Sequence, residues 1–168
     1  MAKYERPEYK VILSQPPFEL RQYEEFVIVE YNNEADPEIV NGFGTLFRYI
    51  SSENKEKQKI SMTVPVIQEI EGNQMKMAFV VPKDYWENVP KPDSKWLSVK
   101  KFESGLFAVI NYNGRSNKNK EKIMKKELSQ WVDSKAYKVV ANYMLAFYNP
   151  PFTPPMFRQN EIMVRIEK

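Results

Sequence analysis

The sequence contains no cysteine and no histidine. Without thiols there are no disulfides, no thiolate metal sites, no thiolate-bound iron and no cysteine nucleophile. Without imidazole there is no Ser-His-Asp triad, no usual zinc site, no histidine acid–base catalysis and no imidazole-bound iron. The chemistry that remains is that of carboxylates, tyrosine or lysine, or the plain binding of an apolar ligand. Long apolar runs are also missing, since none approaches the roughly 18 residues that cross a bilayer. The amino-terminal stretch MAKYERPEYK has no apolar core of a secretory kind. These absences place the expected location in the cytosol, away from membranes. Charge of one sign is scarce too: a net +3, with basic residues mixed among acids, gives no argument for nucleic acid as a partner.

What is present is ordinary in bulk: 168 residues, 42% hydrophobic and 28% charged. That is enough chain for one domain with a sizeable core, or for two small fused halves. Residues 9–13 and 18–22 read as short strands around the turn Ser14-Gln15-Pro16-Pro17, and 26–31 is rich in β-branched and aromatic residues. Asp36, Pro37 and Glu38 form a helix start, with a capping carboxylate, proline at the first position and an acid in the first turn. Ile39, Val40, Phe43, Leu46, Phe47 and Ile50 then recur at helical spacing as one apolar stripe. Gly42 and Gly44 interrupt it at a cost of about 1 kcal/mol each relative to alanine. They serve either close packing on a sheet or the approach of a ligand. After a polar loop, 59–67 and 74–81 pair as a hairpin across Glu71-Gly72-Asn73, with Pro65 marking an edge or bulge. A linker rich in Pro and Asp occupies 82–93.

The pattern then returns. The stretch from Tyr23 to Asn32 is echoed by that from Phe102 to Asn113, with an insertion at Gly105 and Leu106. A helix over 118–132 follows, with Met124, Leu128, Trp131 and Val132 on its apolar side and a lysine-rich outer face, read as solvated. Two strand regions follow each helix, 62–70 and 74–81 in the first half, 137–147 and 162–166 in the second. The chain therefore reads as one domain over 1–168 with an internal repeat, about 18–81 and 96–166. The class is α+β: duplicated βαββ units forming a distorted antiparallel β-barrel with two flanking helices. The corresponding hairpin connections differ sharply. The first is a short turn, whereas the second is a stiff loop holding Pro150, Pro151, Pro154 and Pro155 together with Phe152, Met156 and Phe157. A rigid loop that presents large apolar side chains suits a pocket wall or lid.

Three stretches carry a resemblance to a known family. They are the run from Lys59 to Pro65, the helix ending Phe47-Arg48-Tyr49-Ile50, and Tyr148-Asn149-Pro150-Pro151 with Arg158 to Ile162. In this order, over nearly the whole chain, they resemble the SOUL haem-binding family, whose duplicated βαββ barrel is shared with gyrase-inhibitor-like effector-binding domains. The resemblance implies a carrier or buffer for haem, another tetrapyrrole or a similar flat apolar ligand, held in a cleft between the first helix and the proline loop. Carried over by position, Val40, Phe43, Phe47 and Arg48 would come from the helix and Phe152, Met156 and Phe157 from the loop, with Arg48 pairing a propionate. The sequence departs from the family in having no histidine for an axial bond and Thr153 where a basic residue is expected. Met62, Met75, Met77 and Met156 are the remaining thioethers, and methionine in such places fills cores. No metal ligand is assigned.

Two other readings stand beside this one. The related domains include small-molecule hydrolases that use a pocket carboxylate and an aromatic hydroxyl, for which Glu161 with Tyr143 or Tyr148 are the candidates here. The structural alternative places Glu161 in a salt bridge with Arg158 or Arg165. The third reading is a non-catalytic effector-binding or protein-interaction module.

Overall fold

Strand and helix propensity along this chain resolve into one curled sheet with two helices, an α+β half-barrel. The structure, a computed structural model, describes residues 4–33, 39–69, 75–149 and 153–168. The expected helix start at Asp36, Pro37 and Glu38, the turn Glu71-Gly72-Asn73, and Pro150, Pro151 and Phe152 lie outside the described residues. The strands are β1 (Tyr9–Gln15), β2 (Phe18–Tyr23), β3 (Phe26–Asn33), β4 (Val66–Glu69), β5 (Met75–Val80), β6 (Leu97–Phe102), β7 (Gly105–Asn113), β8 (Lys138–Val139), β9 (Met144–Phe147) and β10 (Gln159–Glu167). Helix α1 (Ile39–Ile50) lies between β3 and β4, and α2 (Lys118–Ser134) between β7 and β8. Two single-turn 3-10 helices, Lys83–Tyr85 and Pro155–Phe157, sit in the linker and in the proline loop.

The sheet runs β1-β2-β7-β10-β9-β4-β5-β3-β6, with β8 on the far end of β10. Among the described residues these strands pair antiparallel throughout. The halves exchange strands: β2 pairs with β7, β6 with β3, and β4 meets β9 in register from Val66↔Phe147 to Glu69↔Met144. No pairing among the described residues joins β1 to β6, so the sheet curls without closing.

The period of two along each strand sorts side chains between two faces. On β7, Ala108 and Ile110 face α2 and pack with Leu128, Trp131, Val132, Ile162 and Val164. Phe107 and Val109 turn to the concave face, with Phe26, Ile28, Ala78, Val80 and Met163. On the first half Leu46, Tyr49 and Ile50 of α1 seal Val29, Tyr31, Met77 and Phe79. Each such fully buried side chain contributes about 1.5–3 kcal/mol of burial free energy. Asn117 caps α2 by accepting a 2.8 Å bond from the Lys120 N–H. An alanine Cβ at Gly42 would meet the Tyr31 ring at 3.0 Å, the close packing of helix on sheet that one reading of this glycine expects.

Two boundaries differ from expectation. The strand expected over 59–67 begins only at Val66, because Pro65 has no N–H for a ladder, and Thr63 instead donates its hydroxyl to the Val80 carbonyl at 2.6 Å. The strand region expected over 137–147 is broken into β8 and β9. Val139 pairs with Ile166 at one end of β10, while Met144–Phe147 pairs with its beginning and with β4.

Candidate functional site

The pairing of β4 with β9 brings the two halves together at a seam, and a cavity of about 480 Å³ opens there. Its apolar wall comes from Phe43 of α1, Met62 and Val64 of the segment before β4, Val66 of β4, Met77 of β5 and Phe147 of β9. Val66 and Phe147 are directly opposed across the seam. Phe43 is braced from behind by Phe79, ring edge to ring face at 5.9 Å. Polar groups gather at the other end: Ser116 ahead of α2, Asn149 and Arg158 of the proline loop, and Asn160 of β10. They are held by their own bonds. The Asn149 Oδ1 accepts from the Gln159 N–H at 2.6 Å, Asn160 donates to the Gly114 carbonyl at 2.8 Å, and the Arg158 Nε donates to the Thr153 carbonyl at 2.8 Å.

Of the residues expected from the sequence, Phe43 lines this cavity. Phe47 stacks on Phe43 at 6.2 Å but is half exposed. Met156 and Phe157 are exposed at 77% and 66%, on the outside of the loop. Phe152 and the Val40 side chain lie outside the described residues. Arg48 lines a separate polar groove with Gly44, Thr45, Glu53, Asp93 and Trp96, bonds Thr45 at 3.3 Å and lies 3.6 Å from the Glu53 carboxylate. The sequence reading did not single out Val64, Val66, Phe147, Asn149 or Asn160 for the site. Val66 and Phe147 read as ordinary strand residues, and only the cross-half register makes them neighbours.

Glu161 is the next residue on β10 after Asn160 and therefore points to the other face of the sheet. There its carboxylate accepts two bonds from Arg21 of β2, Nη1 to Oε1 at 2.8 Å and Nη2 to Oε2, and a third from the Tyr148 hydroxyl at 2.7 Å. Arg21 also reaches Glu19 at 2.8 Å and the Tyr23 hydroxyl at 2.9 Å, with the Tyr9 ring 4.4 Å away over the guanidinium. Arg21 and Glu161 are 3% and 5% exposed, so the cluster is sealed. Its partner is thus Arg21, not Arg158 or Arg165; Arg165 donates instead to the Ser104 and Glu103 carbonyls. Tyr143 packs on the α2 side of the sheet, away from Glu161. Burial alone would lower the Arg21 pKa, yet its hydrogen bonds to Glu161 and the surrounding charges raise it, so the guanidinium stays charged. Desolvation, reinforced by the Glu161 charge, pushes the Tyr148 phenol well above its usual range, and desolvation takes Tyr23 to about 12. With three donors on its two oxygens, Glu161 is part of the frame.

Solved structures share this fold at low sequence identity. The EcmrR C-terminal domain superposes with a TM-score of 0.66 at 13% identity, over 95% of this chain and 98% of that one. EcmrR in a complex with DNA gives 0.67 at 11%, over 90% of this chain and 57% of that one. A hydrolase from Listeria innocua gives 0.60 at 12%, over 89% and 91%. At such identities the likeness is one of fold alone. No curated protein sequence matches the chain. The model of the family described as SOUL heme-binding protein matches residues 4–165, nearly the full length, and the chain therefore belongs to that family.

Proposed function

We propose that this protein binds haem, an iron-free porphyrin or a similar flat apolar ligand in the cavity at the β4–β9 seam, as a carrier or buffer in the cytosol. The observation that carries the reading is the wall of Phe43, Met62, Val64, Val66, Met77 and Phe147 around about 480 Å³, a size usual for small-molecule sites. Aromatic and thioether side chains suit the face of a macrocycle, and Arg158 and Asn149 suit a carboxylate edge. The residues present therefore fit a tetrapyrrole through packing. Phe43, Met62, Val66, Met77 and Phe147 would hold its face and Arg158 its acidic edge. A bound haem would bring redox and ligand-binding chemistry of its own, while this chain offers its iron neither imidazole nor thiolate.

The cavity lining among the described residues includes no carboxylate, and the Glu161 carboxylate is engaged by Arg21 and Tyr148 on the opposite face. That favours binding over hydrolysis. No helix among the described residues is long and apolar enough to cross a membrane. The strand order also supports reading the chain as a duplication, since β2-β7-β10-β9 mirrors β6-β3-β5-β4 about the seam.

Titration with hemin and with protoporphyrin tests the proposal. Both should give a saturable change in the Soret band at micromolar ligand, with affinities within a few-fold of each other because packing dominates. The absence of saturable change with either compound would remove the reading.

A further inference from the structure

Among the described residues three buried polar side chains line the cavity: Thr63, Gln68 and Asn160. Thr63 donates its hydroxyl to the Val80 carbonyl, and Asn160 donates its amide to the Gly114 carbonyl. Gln68, only 8% exposed, makes no side-chain hydrogen bond among the described residues. The one sealed side-chain polar atom without a partner among them is the Asn32 Oδ1. The Gln68 amide is therefore not sealed, and it faces the cavity that it lines. Strand alternation puts Gln68 on the same face as Val66, and the ladders seat it between Met77 of β5 and Leu145 of β9. An amide is thus set into the apolar wall, two strands away from Asn160 of β10. A polar group left unpaired in a dry site loses its hydrogen bonds to water without return. A ligand with a purely apolar edge would leave Gln68 in that state.

A carboxamide carries an acceptor and donors side by side, so it pairs best with a group that offers both on one edge. Chain amides are trans and point their N–H and C=O in opposite directions. A ring holds the two on the same side, as in a lactam or an imide. We infer that Gln68 is a specificity residue that favours flat ligands with a lactam or imide edge over hydrocarbons of the same shape. The inference rests on the seam cavity being the binding site, and it adds the neutral polar group that the best-held ligands turn toward β4.

Three flat probes of one shape test this by fluorescence titration: phenanthridinone, N-methylphenanthridinone and phenanthrene. Gln68→Met keeps the length of the side chain and removes its amide. It should weaken phenanthridinone at least about tenfold and tighten phenanthrene by about twofold. The N-methyl compound, whose carbonyl still accepts, should weaken by about threefold. Gln68→Leu should repeat the pattern, and far-UV circular dichroism checks that each variant is folded. Val66→Phe should weaken all three probes together, which locates them at the seam. If Gln68→Met moves phenanthridinone and phenanthrene in the same direction by similar factors, the selectivity is overturned and the cavity stands as a site. If no probe binds, or if Val66→Phe weakens none of them, the selectivity and the seam site fall together.

Discussion

Two adjacent residues of β10 lead to two different environments. Asn160 lines a cavity with apolar walls and, among the described residues, one cation, while Glu161 closes a buried cluster in which Arg21 and Tyr148 hold its carboxylate and Glu19, Tyr23 and Tyr9 surround the guanidinium. Beside Asn160 there is space, whereas the surroundings of Glu161 are filled. The filled side shows what it takes to bury a carboxylate in this fold: a bidentate guanidinium, a phenol donor and an aromatic lid. The cavity also has a guanidinium at its edge, Arg158, but among the described residues its lining holds no carboxylate and its walls are mostly apolar, so the two sites differ in charge as well as in volume.

The largest test of this contrast is Glu161→Ala, which leaves the buried Arg21 guanidinium with the partly exposed Glu19 carboxylate as its remaining counter-charge there. It should cost about 3–5 kcal/mol in urea unfolding. The double change Arg21→Met with Glu161→Met should recover most of that loss, and a single-variant cost under about 1 kcal/mol would show that the cluster is not sealed. Alkaline pH should attack the same side next. Tyr23 stands near 12 folded because of desolvation, against an ordinary value near 10, so the native state holds its proton where the unfolded chain has lost it. This contribution, of order 2–3 kcal/mol, is complete below about pH 10 and disappears as pH rises through about 12. Unfolding followed between pH 9 and 12, in wild type and Tyr23→Phe, should show a shallower alkaline loss in the variant.

On the cavity side the effects are on binding. Val66→Phe, opposite Phe147 at the seam, should lower porphyrin affinity at least about tenfold while changing stability by less than about 1.5 kcal/mol, as a substitution into existing space does. The smallest effect is expected from Arg48→Glu. Arg48 lies in the groove with Thr45, Glu53 and Trp96, so hemin affinity should move by less than about twofold. A tenfold loss there would instead return the ligand's acidic edge to the first helix.

Much of the architecture could be read along the chain because it is written in local periodicity. The helical stripe ending Leu46, Phe47 and Ile50 and the lysine-faced helix over 118–132 appear as α1 and α2. The alternation of Met77 with Ala78 and of Phe79 with Val80 sorts onto two faces as expected. The site was less legible. Phe43 was visible as part of a stripe, but Val66 and Phe147 become partners only through a register between strands some eighty positions apart. Arg21, within Phe18–Tyr23, carried one weak signal: it shares a strand face with Glu19 and Tyr23, a charged position beside a buried aromatic.

By itself, the sequence determined which chemistries were closed to this protein, since no fold can supply a thiol or an imidazole that the chain lacks. It also determined the kinds of elements, because turn residues and hydrophobic period act within a few positions. Only the tertiary structure decided where charge would lie. Glu161 found Arg21 across 140 positions rather than Arg158 or Arg165 nearby, while Arg158 bonds the Thr153 carbonyl and lines the cavity. The physical reason is that a strand offers each side chain one of two faces, and the partners on that face come from whichever strands the pairing order sets beside it.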